Sequence, residues 1–200
     1  ADYKMYSNLV KNFKYYGMKE KKNFFLDDKA AYVPGDLQQM SMLLARTYLS
    51  KIKTYEQYKE QIAKVGAAGA PVPEGYRSVD DYMLREKDSL AVYRKRAIEV
   101  LNHILIEIPE HVMPMRKEYK ADFGIILLEL GDEANAKKVL DMAVKDCVQY
   151  GTYFVKWEDQ MFGAREVQMS GEILKNIAAE CERLGKKDWA AEYKQRGSGI

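Results

Sequence analysis

Apolar residues recur every three or four positions along most of this chain, which is the spacing that places them on one face of an α-helix. Residues 115–200 contain no proline, so nothing in that stretch interrupts a helical backbone. We therefore predict an all-α fold. The apolar stripes run through residues 40–48, 90–108, 119–130, 136–147 and 173–184.

Glycine and proline mark where the predicted helices end. Gly131 and Gly185 each follow the last apolar positions of a stripe, which predicts a helix, a tight turn and a second helix. Residues 66–75 are rich in glycine, alanine and proline; they cannot continue a helix and their small side chains do not anchor a core, so we predict a flexible insertion. Ser78, with Asp81 three residues later, is typical of a helix N-cap.

Small and bulky residues repeat at fixed intervals, which is typical of stacked helical hairpins. The spacing resembles the tetratricopeptide pattern, in which small residues lie where two paired helices meet and a bulky apolar residue fills the space between them. The best match is Gly124, Leu127, Gly131, Ala136, Leu140 and Ala143; partial copies are Ala178, Cys181, Gly185 and Ala190, and Ala97, Leu101, Ile104 and Pro109.

We predict one helical-repeat domain that spans residues 1–200, with tetratricopeptide-like hairpins wound into a right-handed α-α superhelix and an aromatic arm at its start. A helical bundle without repeats is the alternative. The predicted parts are the arm at 1–35, repeat unit 1 at 36–110 with an insertion at 54–88, repeat unit 2 at 115–150 and repeat unit 3 at 163–196.

Composition removes most classes of chemistry. Lysine and arginine number 32 against 30 acidic residues, and this near-balance argues against a nucleic-acid partner. The sequence holds no recognised catalytic, phosphate-binding or metal-binding motif, and its two histidines and two cysteines are too few for a metal cluster. We therefore predict no catalytic residue, no cofactor and no metal in this chain. Cys147 and Cys181 occupy apolar stripes, which favours buried free thiols over a disulfide.

Tyrosine is the one residue in excess, with 15 against 6 phenylalanines and 2 tryptophans. A tyrosine ring can be buried while its hydroxyl stays hydrated, so these residues suit either sealing of the arm against a solvent-lined helical groove or contact with a peptide or sugar. We favour structural sealing for most of them.

The first helix of each hairpin would line a concave surface, which is the candidate binding face. Two of its residues, Ile125 and Leu128, are apolar, so we expect either the aromatic arm or residues 152–162 to cover them. The predicted face comprises Gln39, Met42, Arg46, Glu118, Ile125, Leu128, Glu129, Glu172 and Lys175.

Residues 5–18, 23–28, 37–48 and the Ile108-Pro109 pair carry a resemblance. They resemble the soluble C-terminal tail of a family of large bacterial polytopic membrane proteins of unknown function, related to the glycosyltransferase-C superfamily. The resemblance implies a periplasmic, extracytoplasmic domain tethered through membrane segments that precede Ala1, which is then a cut end. It also implies that any glycosyltransferase activity belongs to the membrane body, so no residue here inherits a catalytic role.

These observations predict a non-catalytic module that binds a protein or peptide partner or positions a substrate for the membrane body. One alternative is an accessory domain that contacts a glycan or a lipid carrier. A second alternative is a free cytoplasmic scaffold. For a tethered domain, the sequence predicts contact with a membrane only through the missing upstream region.

Overall fold

A computed structural model describes residues 33–103, 115–155 and 161–198, and within these ranges the chain is helical and forms no strand. The prediction of an all-α fold is confirmed. Most of the aromatic arm, residues 1–32, lies outside the described residues. The helices are α1 Val33–Val65, α2 Val79–Asn102, α3 Lys117–Glu129, α4 Glu133–Val155, α5 Met161–Arg183 and α6 Lys187–Gly197, and Ala67–Gly69 forms one 3-10 turn.

The chain divides into two compact units, residues 1–107 and residues 108–200. None of the helices in the described ranges is both long enough and apolar enough to cross a bilayer. A single array of three hairpins through both units stays a prediction.

In the first unit α1 packs against α2 as one long hairpin. Ala45 and Tyr48, the expected small and bulky pair, are both buried, and Tyr48 stacks on Tyr93 with ring centroids 5.8 Å apart. Most of the expected insertion at 54–88 is helical, because residues 54–65 belong to α1 and residues 79–88 belong to α2. The part that is not α-helical is the connection at residues 66–78.

Four tyrosines seal the end of this hairpin around that connection. Tyr82 packs edge-on against Tyr58 and against Tyr76, each at 4.8 Å between centroids, and Tyr55 lies nearby. The Tyr58 hydroxyl donates to the Pro71 carbonyl at 2.5 Å. These rings pack within the hairpin itself, and sealing of the arm against a helical groove stays a prediction.

The connection itself corrects one expectation. Ala70 is buried against the tyrosine cluster, so the interpretation that its small side chains cannot reach a core is wrong there. The physical reason is that the connection folds back onto the adjoining helix ends, where Tyr55, Tyr58 and Tyr82 lie. Ser78 caps α2 as predicted, with its hydroxyl accepting from the Asp81 amide at 3.1 Å.

The second unit consists of two hairpins, α3 with α4 and α5 with α6, and α4 also packs on α5. Its core is built from the predicted stripes. The fully buried side chains include Phe123, Leu127, Val139, Leu140, Val144, Cys147, Ile177, Cys181 and Tyr193.

Both hairpins of this unit turn in the same way. Gly131 and Gly185 have φ of 85° and 78°, a left-handed conformation that residues with a Cβ rarely adopt. In each turn the residue that follows the glycine donates its backbone amide to the carbonyl of the residue four positions before the glycine. This bond satisfies a carbonyl at the end of the preceding helix. These bonds run from Asp132 N to Leu127 O at 3.0 Å and from Lys186 N to Cys181 O at 2.7 Å.

Ion pairs join equivalent positions of the two hairpins. The pairs Glu129 with Arg183, Lys137 with Glu192 and Asp141 with Arg196 connect residues 54, 55 and 55 apart, which is within one residue of the shift that places Gly131 on Gly185. The second hairpin therefore lies beside the first in the same orientation. Because these side chains are partly exposed, each pair contributes only about 0.2–1 kcal/mol and acts mainly on register. Lys186 adds a contact to Glu133 at 2.6 Å.

Gly124 sets how closely α3 approaches α4. A Cβ at this position would lie 2.6 Å from two side-chain carbons of Leu140 and 3.2 Å from its amide nitrogen. Replacement by alanine must therefore push the helices apart or force Leu140 from its rotamer, and we expect Gly124→Ala to lower the free energy of unfolding by about 1–3 kcal/mol.

Urea unfolding followed by tryptophan fluorescence measures this, because both tryptophans, Trp157 and Trp189, belong to the second unit. Gly171→Ala is the matched control: a Cβ there meets nothing within 4 Å, so a gain of about 0.5–1 kcal/mol is expected from the helix interior. Equal effects of the two substitutions would contradict the close approach at Gly124.

Candidate functional site

A cleft of about 520 Å³ opens in the second unit, at the helix ends that lie away from the two glycine turns. Its volume is within the range of sites that bind small molecules or side chains. The first turn of α3, the second half of α4 and the first half of α5 form it. The lining residues are Met115, Arg116, Lys117, Glu118, Lys120, Asp146, Tyr150, Phe162, Arg165, Glu166 and Met169.

Two buried lysines form part of its wall. The Lys117 ammonium lies 2.8 Å from a Glu166 carboxylate oxygen and donates to the Ser170 hydroxyl at 3.0 Å. The Lys120 ammonium lies 2.6 Å from an Asp146 oxygen. A buried charge is tolerated only when it is paired and hydrogen-bonded, and both lysines meet that condition within the unit.

Two arginines that line the same cleft differ from the lysines in their exposure and in their partners. Arg116 and Arg165 are exposed, and their guanidinium groups make no ion pair or hydrogen bond with the residues that the structure describes. Glu118 also lines the cleft and is half-buried. With the two lysine pairs neutral, the remaining charges among the described lining residues are two guanidinium groups and one carboxylate, a net of one positive charge.

Exposed aromatic rings border the cleft, and we call Tyr150, Tyr153, Phe154 and Phe162 the aromatic surface. The exposed fraction is 49% for Tyr150, 54% for Tyr153 and 63% for Phe162. Phe154 holds them together, with its centroid 4.9 Å from the Tyr153 ring and 5.4 Å from the Phe162 ring. A group of exposed rings on a folded unit marks a surface suited to a partner.

Tyr150 and Phe162 belong to both the aromatic surface and the cleft lining. The ammonium of Lys117 lies over the Tyr150 ring, 5.1 Å from its centre, which is a cation–π distance. Cations and rings are thus adjacent in one site.

The structure places the nine predicted face residues in several environments. Gln39, Met42 and Arg46 lie on α1 in the first unit, whereas the other six belong to the second unit. Glu118 lines the cleft and Glu172 accepts a hydrogen bond from Gln168 at 2.8 Å. Lys175 is exposed on α5.

On α3 the predicted face is partly covered, and coverage of its two apolar residues was expected. Leu128 is only 6% exposed and Ile125 is half-buried, while the Glu129 carboxylate is engaged by Arg183. The reason is that α3 packs against both α4 and α5, so most of its circumference is covered. We expected the aromatic arm or residues 152–162 to cover Leu128. Of these segments, residues 1–32 and 156–160 lie outside the described residues.

Sequence reasoning missed the residues that matter most in the cleft: Lys117, Lys120, Arg165 and Phe162. A signal was present for the lysines. The buried stripe of Gly124 and Leu127 continues toward the start of α3 through Lys120, one turn before Gly124, and Lys117, two turns before it. A lysine on a core stripe requires an internal carboxylate.

Comparison with protein-family models, with curated proteins and with solved structures finds no match to this chain. The resemblance to tails of polytopic membrane proteins therefore stays a prediction. Across the described ranges, no three histidine, cysteine or acidic side chains come close enough together to hold a metal ion.

Cys147 and Cys181 are free and fully buried, which confirms the prediction of buried thiols. Burial disfavours the charged thiolate and raises the pKa of Cys147 to about 12 and that of Cys181 to about 11. Neither thiol has the exposure or low pKa of a reactive cysteine.

The Lys117 pair can be tested by removal of one partner. Lys117→Met leaves the Glu166 carboxylate and the Ser170 hydroxyl without their donor, so we expect the free energy of unfolding of the second unit to fall by about 2–4 kcal/mol. Adding Glu166→Gln should recover part of the loss, as tryptophan fluorescence in urea would measure. Lys138→Met, at an exposed position of α4, is the control and should change stability by less than about 0.5 kcal/mol. Strict additivity of the two single losses would contradict the pairing.

The thiols give a second prediction. Iodoacetamide at pH 8 should alkylate Cys147 and Cys181 in the folded chain far more slowly than in urea, with mass spectrometry as the readout. Stability should also depend on alkaline pH: below the ordinary thiol pKa of 9.0 both states are protonated, and above it the unfolded thiols ionise first. The thiols should therefore lower the free energy of unfolding as the pH rises from 9.0, and a Cys147→Ala/Cys181→Ala variant should lack that part of the slope. Rapid labelling of the folded chain would contradict burial.

Proposed function

We propose that this chain is a non-catalytic module of tetratricopeptide-like hairpins that binds another protein through the aromatic surface of its second unit. The observation that carries the proposal is that surface itself: Tyr150, Tyr153 and Phe162 each lie against the Phe154 ring and are about half exposed or more. They stand beside a cleft with two guanidinium groups that have no partner among the described residues. The four tyrosines around the 66–78 connection, in contrast, pack into a core.

The hairpin geometry supports the repeat part of the proposal. Two successive hairpins share one turn motif and one orientation, and ion pairs join their equivalent positions. Arrays of stacked hairpins are built from such nearest-neighbour contacts and use their surfaces for binding rather than for catalysis. We propose that the hairpin of the first unit belongs to the same kind of right-handed array.

The chemistry of the surface supports a protein as the partner. Aromatic residues, methionine and arginine are the residue types enriched where proteins meet. Edge-on contacts already fix the rings, so little conformational entropy is lost when a partner covers them. Met161 lies beside Phe162 and is also exposed.

The resemblance described above supports a location for this function. We propose an extracytoplasmic domain of a membrane-embedded parent, which holds a partner or substrate protein near that parent. Exposed tyrosine and phenylalanine rings can also stack on sugar rings, so contact with a glycan or a lipid carrier is the second candidate.

Site-specific photocrosslinking tests the proposal in the cells that produce the full protein. With p-benzoylphenylalanine in place of Phe162 we expect one defined protein adduct, which a Tyr153→Ser substitution in the same chain should weaken. The same crosslinker in place of Leu84, an exposed residue of α2, is the matched control and should give no such adduct.

The adduct counts only if the partner, once identified by mass spectrometry and purified, binds the purified chain at least about tenfold more tightly than it binds the Phe162→Ser variant. If no protein adduct forms, and saturation-transfer NMR instead shows glycan protons near these rings, the second candidate replaces the first.

A further inference from the structure

The cations of the cleft fall into two sets that differ in what a ligand can reach. Lys117 and Lys120 are buried and already satisfied by Glu166 and Asp146. A ligand anion could bind either lysine only by displacing a carboxylate of the protein. The lysines therefore shape the wall, and the groups that can meet a ligand are the guanidinium groups of Arg116 and Arg165.

These two guanidinium groups favour one kind of anion. Each presents a planar fork of donors that matches a carboxylate with two parallel hydrogen bonds. Glu118 lies in the same cleft and leaves a net of one positive charge after the two arginines are counted. One carboxylate balances that charge, whereas a doubly charged phosphate or a polyanion would face repulsion from Glu118.

The rings determine what must stand next to that carboxylate. Tyr150 and Phe162 line the cleft and continue outward as the aromatic surface, so a chain lying across the site passes directly from the guanidinium groups to the rings. A residue adjacent to the acidic one meets an apolar, half-exposed surface, which suits an aromatic or large aliphatic side chain.

We infer that the cleft binds a segment of the partner protein in which an acidic residue stands next to an aromatic or large aliphatic residue. The inference rests on the proposed function and adds the chemistry of the ligand to it. Arg116 and Arg165 bind the carboxylate, and Tyr150 with Phe162 bind the neighbouring apolar side chain.

Fluorescence anisotropy with labelled synthetic peptides tests it on the full 200-residue chain. The first probe alternates glutamate with phenylalanine over seven residues. Three matched probes replace glutamate by glutamine, glutamate by lysine, or phenylalanine by serine. We expect binding of the first probe to weaken by about tenfold or more with each replacement, and to weaken further as salt screens the ion pairs.

Variants of the chain locate the effect. Arg116→Gln and Arg165→Gln should each weaken binding of the first probe by about tenfold and leave the glutamine probe unaffected. Lys138→Gln removes the same charge from an exposed position outside the cleft and is the matched control, with less than about a twofold effect. Circular dichroism and urea unfolding confirm that each variant is folded.

Three results would overturn the inference. One is the absence of binding of the first probe to the folded wild-type chain at millimolar concentration. Another is equal binding by wild type and the Arg116→Gln/Arg165→Gln variant. The third is arginine-dependent binding of vesicles that contain phosphatidylglycerol, or of inorganic phosphate, in preference to the peptide. A protein adduct at Phe162 that survives the double arginine substitution would leave the proposed function standing while the acidic-peptide inference fails.

Discussion

The close contact between α3 and α4 at Gly124 is the constraint from which the second unit follows. Because Leu140 occupies the space that a Cβ of residue 124 would take, the two helices pass close to each other at this point. Nearer the start of α3, Lys117 and Lys120 are buried. Carboxylates from α4 and α5 must meet these two charges, and that requirement ties three helices together at the mouth of the cleft.

The same contact bears on which groups the cleft presents to solvent. The lysines hold a structural position, because their carboxylate partners are fixed within the unit. The thiols of Cys147 and Cys181 are fully buried, and desolvation keeps them protonated. Among the described lining residues, the charged groups outside the two lysine pairs are the guanidinium groups of Arg116 and Arg165 and the carboxylate of Glu118. These groups and the neighbouring rings are what the proposed partner would meet.

Local features were predictable from the sequence, and features made by packing were not. The stripes, the turns at Gly131 and Gly185 and the Ser78 cap depend on residues close together in the chain, and each is found where it was expected. Coverage of Leu128 was expected from its apolar character, but the packing of α3 against two other helices was not. The aromatic surface was missed for a similar reason: Phe154 and Phe162 come together only when α4 meets α5.

The ion pairs between equivalent positions of the two hairpins also bear on which hairpin can stack on which. The first hairpin contributes mostly acids to this contact, namely Glu129, Glu133 and Asp141, and the second contributes mostly bases, namely Arg183, Lys186 and Arg196. Two copies of the same hairpin would place like charges opposite each other. Stacking of the first hairpin on the second is therefore favoured over self-pairing of identical hairpins when several identical chains are exposed to one another during folding.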